Sequence, residues 1–189
     1  MIYFIRHGQT ERNNARQLQG RSDQPLNEAG IRQAQDAAAF LRERGIKFRY
    51  VFTSPLIRAV QTAEIIAPDL APVVEERLIE MDYGPYEGLD LRRLPPEVLT
   101  FFRDFVHNPA PEGMEQLPAV VSRVGEFLEE IKDLSGNILI STHAIALKGA
   151  LEHLTPESGG SWWSRNIGNC AVFAADNTGD HISVPVQIL

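Results

Sequence analysis

Two arginines and two histidines occupy positions in the sequence from which they could act on a phosphate group. Arg6 and His7 follow a short apolar run, Arg58 comes three residues after Pro55, and His143 follows a second apolar run. Arginine side chains offer forked donors that match a tetrahedral phosphate. Imidazole titrates near neutral pH, so a histidine can serve as a nucleophile or as a proton donor. These residue types predict phosphoryl chemistry if the fold brings the four side chains together.

Each of these residues also has a simpler interpretation. An isolated histidine at a strand end is most often capped or solvated, and an isolated arginine is usually a surface charge. A second chemical interpretation makes two histidines and Glu80 ligands of a metal ion. The spacing of the five histidines contains no HxH or HExxH pattern, which disfavours a zinc site. They are His7, His107, His143, His153 and His181.

The apolar pattern predicts an α/β fold whose strand ends carry the candidate residues. Short apolar runs predict strands over 2–5, 50–52, 73–74, 137–141, 170–174 and 182–188. Helical spacing predicts helices over 27–45, 57–67, 95–106, 117–134 and 145–154. Alternating strands and helices favour a largely parallel sheet, closed by strands that run antiparallel. Loops at the carboxyl ends of parallel strands lie together, so we expect the arginines and histidines to converge there.

Composition limits the classes of partner. The 189 residues carry 18 basic and 25 acidic side chains, a net charge of −7, which disfavours binding to nucleic acid or an anionic membrane. Cys170 is the only cysteine, so there is no intrachain disulfide. No stretch approaches the roughly 20 apolar residues of a membrane span, and no basic leader precedes the first strand. We therefore expect one cytoplasmic domain.

The order of short motifs resembles that of a known family. The first motif is RHGQTERN at 6–13, and the second is TSPLIRAVQTA at 53–63. The other matching segments are 19–20, 23–30, 78–88, 111–115 and 141–143, the fourth of these only weakly. In this order, from residue 2 to about residue 154, the chain resembles the histidine phosphatase superfamily, in its phosphoglycerate mutase-like branch. The resemblance implies a single domain over 1–189, built as a three-layer sandwich with a mostly parallel central sheet between helices.

The same resemblance implies a catalytic set. His7 would be the nucleophile that takes the phosphoryl group onto a ring nitrogen. Arg6, Arg58 and His143 would bind the phosphate oxygens. Glu80 would protonate the leaving oxygen and later deprotonate the attacking water. No metal or cofactor is expected, because guanidinium groups and a second imidazole can stabilise the charge.

A second group of residues would bind the substrate around the phosphate. The predicted binding residues are Asn13, Gln19, Gly20, Glu115, Thr142 and Ala144. Among them, Glu115 could instead cap the helix that follows it. Ala144 departs from the family pattern, which has glycine there, and would be strained if the position needed a positive φ. Met114 stands where a smaller residue is common and is expected to reshape the substrate side.

Three functions remain open at this point: a phosphomonoesterase, a phosphoglycerate mutase and a catalytically quiet phosphate-binding protein. The segment 89–110 is a short lid, and a short cover excludes water poorly, which favours hydrolysis of a small phosphorylated metabolite. The presence of all five catalytic residues disfavours the quiet alternative. Arg92, Arg93, His107 and the phenylalanines over 101–105 are the candidates for specificity. Trp162 and Trp163 either lie in the core or mark the interface of a homodimer.

Overall fold

A six-stranded sheet runs through the middle of the molecule, and the computed structural model describes all 189 residues. The strand order is β3-β2-β4-β1-β5-β6, and β1 to β4 are parallel. β5 runs antiparallel to β1 and to β6. The strands are β1 (Ile2–Arg6), β2 (Tyr50–Thr53), β3 (Val73–Val74), β4 (Ile138–Thr142), β5 (Val172–Ala175) and β6 (Val186–Gln187).

Helices cover both faces of the sheet. They are α1 (Glu11–Asn14), α2 (Glu28–Glu43), α3 (Ile57–Ile66), α4 (Pro96–Arg103), α5 (Leu117–Ile131) and α6 (Ala144–Leu154). One face packs on α2 and α3 through small side chains such as Ala34 and Ala63. The other face packs on α5 and α6, where larger side chains such as Phe127 and Leu147 are buried. The result is the predicted three-layer α/β sandwich with a mostly parallel sheet, and that prediction is confirmed.

The central pair of strands brings two candidate segments to one edge. β1 and β4 are apolar and almost fully buried, and they pair in parallel from Ile2 with Ile138 to Arg6 with Thr142. The segments that follow β1 and β4 therefore leave the sheet side by side. The backbone N–H of His7 extends this ladder by donating to the carbonyl of Thr142 at 2.9 Å.

The loop after β1 lies directly against the start of α2. Gly8 and Gly30 make this possible, because a Cβ on either would clash with backbone atoms of the opposite segment. Thr10 then caps α1 with a reciprocal hydrogen-bond pair to Asn13. The four-residue α1 was not predicted, because it is too short to show helical periodicity.

Several element boundaries differ from the sequence predictions. The last strand is reduced to Val186–Gln187, with one isolated bridge between Asn177 and Ile182 in place of the expected run from 182. The helix predicted over 95–106 ends at Arg103, since the side chain of Asp104 accepts from the backbone of Val106 and His107 in a turn. Hydrogen bonds within the turn therefore explain why the helix ends at Arg103.

Trp162 and Trp163 are buried in the larger core cluster. They therefore provide no exposed aromatic surface, and the homodimer stays a prediction. None of the helices is both long enough and apolar enough to cross a bilayer.

Candidate functional site

The two histidines meet where β1 and β4 leave the sheet. Their ring centroids are 5.1 Å apart, and both side chains are buried, His7 at 3% and His143 at 0% exposure. Arg58 reaches the same place from the first turn of α3, and it is also fully buried. The convergence expected from the parallel topology is therefore present in the structure.

Backbone and guanidinium groups fix the tautomer of His7. Its Nδ1 lies 2.7 Å from the carbonyl oxygen of Gly8, an atom that can only accept, so Nδ1 carries the proton. The Nε–H of Arg58 donates to Nε2 of His7 at 3.2 Å. Nε2 therefore keeps its lone pair, which is the state that a nucleophilic imidazole needs.

The surroundings keep His7 neutral. Burial, followed by the positive charges of Arg58 and Arg6, holds the pKa of His7 well below 6.5, although the hydrogen bond to Gly8 acts in the opposite direction. At neutral pH the ring is therefore uncharged, and an arriving anion meets a lone pair.

Carbonyl groups hold Arg58 in position. Its Nη1 donates to the carbonyl of Ser22 at 2.8 Å and its Nη2 to that of Gly20 at 2.6 Å. Burial lowers the pKa of Arg58 to about 10, so the side chain remains a cation at neutral pH. Glu87 supports this arrangement from behind, because its carboxylate accepts from the backbone N–H of Gly20 at 3.0 Å.

A hydroxyl group orients His143. Its Nε2 lies 2.7 Å from Oγ of Ser54, and the N–H of Leu56 donates to the same oxygen at 3.3 Å. We assign the hydroxyl proton of Ser54 to Nε2, since the hydroxyl has no other acceptor, and this assignment places the ring proton of His143 on Nδ1. Burial, with Arg58 as the nearest positive charge, holds the pKa of His143 well below 6.5.

Glu80 lies at the N-terminus of α6. Its carboxylate accepts from the N–H groups of Ile145 at 3.2 Å and Ala146 at 3.1 Å, and from that of Met81 at 2.9 Å. The N–H groups of Ile145 and Ala146 are first-turn donors that the helix itself leaves unpaired. Glu80 is 4% exposed, and this backbone anchoring fixes the position of its carboxyl group at the wall of the cavity.

Three buried side-chain nitrogens have no hydrogen-bond partner, and all three belong to predicted site residues. They are Nε of Arg6, Nε2 of Gln19 and Nδ1 of His143. All three act as N–H donors here, and unsatisfied buried donors are costly, so their clustering indicates room for a ligand that accepts hydrogen bonds. An anion with several oxygens meets that requirement.

A cavity of about 290 Å³ opens over Arg6 and Gln19, whereas His143 and Arg58 are not among the residues that line it. Arg6, His7, Asn13, Gln19, Glu80 and Ala144 line one side of it. Leu91, Phe102 and Phe105 of the 89–110 segment line the other side, together with Tyr83. A larger cavity of about 570 Å³ lies between α5 and the segment around Val106, but it contains none of the predicted catalytic residues.

Three predicted binding residues are engaged elsewhere in the structure. The Thr142 hydroxyl donates to the carbonyl of Leu78 at 2.7 Å. The Glu115 carboxylate accepts from Arg21, Arg123 and the N–H of Asp82, and it does not line the cavity. Both backbone groups of Gly20 are used, by Glu87 and by Arg58. These residues hold the walls of the site in place, and their contact with the substrate stays a prediction.

The two departures from the family pattern leave the site intact. Ala144 is not among the residues with positive φ, and it begins α6 as an ordinary helical residue, so alanine is not strained there. Met114 is 6% exposed and packs in the core, outside the cavity lining. The expectation that Met114 reshapes the substrate side is therefore not met.

Sequence reasoning missed the contribution of the segment after α6. The carbonyl of Ile167 accepts from Nη1 of Arg6, and the side chain of Asn169 donates to the carbonyl of His7 at 3.0 Å. Neither residue lies in a motif. Only the buried, positive-φ turn at Cys170 marks the segment, and backbone angles cannot be read from the sequence.

The candidates for specificity divide into two groups. Phe102 and Phe105 line the cavity, whereas Arg92 is exposed and paired with Asp90. His107 is also exposed and pairs with Asp104 at 2.8 Å. No group of three or more His, Cys, Asp or Glu side chains comes together in a way that could hold a metal ion.

The fold and the site together define an α/β protein whose parallel-strand edge holds a pair of imidazoles among guanidinium groups, a donor set suited to a phosphoryl group. The chain belongs to the histidine phosphatase superfamily (branch 1), whose family model matches residues 2–186. The resemblance drawn from the motifs is thereby confirmed.

The chain is similar in sequence or in structure to several proteins. The chain is 33% identical over 183 residues to the "Probable phosphoglycerate mutase GpmB" of Yersinia pestis (strain Pestoides F), covering 93% of this chain and 84% of that protein. The structure of Bacillus stearothermophilus YhfR has a TM-score of 0.85 at 29% identity and covers 97% of this chain and 94% of its own. Phosphoserine phosphatase from Entamoeba histolytica has a TM-score of 0.84 at 23% identity, covering 100% and 94%, which shows the fold alone.

Proposed function

We propose that this protein is a metal-independent phosphomonoesterase that hydrolyses a small phosphorylated metabolite through a phosphohistidine on His7. The observation that carries the proposal is the state of His7. Its Nδ1–H is held by the Gly8 carbonyl, its Nε2 keeps a lone pair, and its pKa is held well below 6.5. A buried neutral imidazole beside two guanidinium groups is arranged to attack an anion.

The first step transfers the phosphoryl group to the protein. A bond forms between Nε2 of His7 and phosphorus while the ester P–O bond breaks. Arg6, Arg58 and His143 donate to the phosphoryl oxygens, and the leaving oxygen takes a proton from the carboxyl group of Glu80. Glu80 acts here as a general acid, so the alkoxide is neutralised as the ester bond breaks.

The second step releases phosphate. Water attacks the phosphorus atom, the Nε2–P bond breaks, and the Glu80 carboxylate takes the proton of the attacking water. Glu80 and His7 thus return to their starting states, and the net reaction consumes one water for each ester cleaved. Positive charge on the phosphorylated ring is stabilised by the Nδ1–H bond to the carbonyl of Gly8.

Phosphoglycerate mutase is the second candidate, because the curated relative with 33% identity is a probable mutase. A mutase must keep its phosphohistidine away from water until the acceptor is in place. Here the cover is the 89–110 segment, and Leu91 on the cavity wall is 43% exposed. A short cover with an exposed wall gives water access, which supports hydrolysis.

One assay separates the two. The protein is incubated with 3-phosphoglycerate, and inorganic phosphate and 2-phosphoglycerate are followed together. The proposal expects phosphate release to be the faster process and to be unchanged by EDTA. Faster formation of 2-phosphoglycerate would overturn the choice of hydrolase, and loss of turnover in EDTA would overturn the metal-independent mechanism.

A further inference from the structure

We infer that Lys148 is a specificity-determining residue that binds a second anionic group of the substrate, so that the preferred phosphomonoester carries a carboxylate a few bonds from its phosphate. This inference rests on the proposed function and adds the chemical class of the substrate to it. The experiment below separates failure of the inference from failure of the proposed function.

The geometry of α6 places Lys148 next to the catalytic cavity. Ala144 and Ile145, at the start of the helix, line that cavity. Lys148 follows them by four and three residues, which puts it on the same face of the helix and about 6 Å further along its axis. A small substrate whose phosphate lies at His7 would extend along this face.

A second cavity, of about 380 Å³, lies next to the first. Phe102 and Phe105 line both cavities, so the two phenylalanines form the shared wall. Lys148 lines the second cavity together with polar residues of the segment after α6, namely Ser164, Arg165 and Asn166. A polar, cationic chamber thus adjoins the predicted phosphate site.

The ammonium group of Lys148 has unused capacity. The residue is 8% exposed, and its Nζ donates one hydrogen bond, to the carbonyl of Trp163 at 2.8 Å. It forms no ion pair, although Asp104 lines the same cavity, because that carboxylate pairs with His107. An ammonium carries three donors, so two remain for a ligand.

A purely structural role explains these observations less well. Methionine would fill a similar volume without the cost of removing a charge from water. Burial lowers the pKa of Lys148 to about 8, so the side chain is still mainly charged at neutral pH. A buried cation that forms no ion pair and meets the charge of Glu80 only at longer range, at the wall of an open chamber, is suited to an anion supplied by the substrate.

The test compares two substrates that differ in one group. In 3-phosphoglycerate a carboxylate stands where glycerol 3-phosphate has a hydroxymethyl group. We expect Lys148→Met to lower kcat/KM for 3-phosphoglycerate by about tenfold, mainly through KM, because a charge-assisted hydrogen bond is lost. Glycerol 3-phosphate turnover should change by no more than about twofold, and Lys148→Arg should restore most of the preference. Lys47→Met, at an exposed lysine, is the matched control.

The outcomes are distinct. Equal loss for both substrates in Lys148→Met, or no loss for either, overturns the inference and leaves the phosphatase proposal standing. If the unmodified protein releases phosphate from neither substrate nor from any other phosphomonoester tested, it is the proposed function that fails. Retained turnover of glycerol 3-phosphate also shows that Lys148→Met has folded.

Discussion

The Nε–H of Arg58 points at Nε2 of His7 over 3.2 Å, so the atom that we expect to attack phosphorus is already in contact with a cation. The same guanidinium is anchored on two backbone carbonyls, at Gly20 and Ser22. When a phosphoryl group arrives at Nε2, the Nε–H is placed to transfer its bond to a phosphate oxygen. Charge stabilisation is therefore in place before the substrate binds.

Arg58→Lys tests this preorganisation. A lysine ammonium cannot donate to Nε2 of His7 and to both carbonyls with the forked geometry of arginine. We expect kcat/KM to fall by about a hundredfold or more, the size typical of losing a preorganised donor to the transition state. Steady-state kinetics with a phosphomonoester provides the measurement. The exposed Arg32→Lys variant is the control, and a loss in Arg58→Lys no larger than in this control would refute the role.

Ser54→Ala tests the positioning of His143. Without the hydroxyl, nothing directs the ring proton of His143 to Nδ1. In the tautomer that carries the proton on Nε2, Nδ1 can no longer donate a hydrogen bond. We expect kcat/KM to fall by about tenfold, because a donor to the phosphoryl oxygens is no longer held in place. Ser54→Thr keeps the hydroxyl and should recover most of the rate. A fall in stability without a change in kcat/KM would mean that Ser54 only supports the loop.

Glu80→Gln separates proton transfer from phosphoryl transfer. Glutamine can still accept from Ile145 and Ala146 through its amide oxygen, so the start of α6 should stay capped. It cannot give a proton to the leaving oxygen, so kcat/KM for an alkyl phosphate, which reports the transfer to His7, should fall by about a hundredfold or more. For p-nitrophenyl phosphate, whose leaving group needs no proton, the loss in kcat/KM should be much smaller. Equal losses in kcat/KM for both substrates would contradict the role of Glu80 as the acid of the first step.

The two buried histidines predict a pH dependence of stability. Because the pKa values of His7 and His143 are held well below 6.5 by burial, the unfolded chain binds protons that the folded protein does not. The free energy of unfolding should therefore fall as the pH drops below about 6.5, by up to about 1.4 kcal/mol per pH unit for each histidine. Above that pH this contribution is constant.

Urea unfolding between about pH 7.5 and pH 5.5 measures this effect. His143→Gln should show a shallower dependence than the unmodified protein, because one of the two buried imidazoles is gone. His181→Gln, at an exposed position, should keep the original slope. Identical slopes in all three proteins would show that the buried histidines take up protons without cost.

The sequence predicted the sheet and the convergence of the site because both follow from strong local signals. The apolar runs of β1 and β4 have few alternatives, and parallel pairing then places His7 beside His143. Contacts between segments that are distant in the sequence leave no local pattern in it. The carbonyl of Ile167 binds the side chain of Arg6, and the side chain of Asn169 binds the carbonyl of His7. Both contacts form only when the fold is complete.

Motif membership did not show which polar atoms the protein itself uses. Gly20 lies in a motif and was expected at the substrate, yet its carbonyl anchors Arg58 instead. Thr142 and Glu115 likewise use their polar atoms within the protein. Spacing could bring these residues near the site, but only the hydrogen-bond partners show which groups remain free for a ligand.

Trapping of the covalent intermediate tests the central claim most directly. The protein is mixed briefly with a radiolabelled phosphomonoester, denatured and assayed for protein-bound label that is lost in acid. We predict one acid-labile phosphohistidine, present in the unmodified protein and in the exposed-site variant His181→Ala, and absent in His7→Ala together with turnover. Label or turnover that persists in His7→Ala would contradict the account.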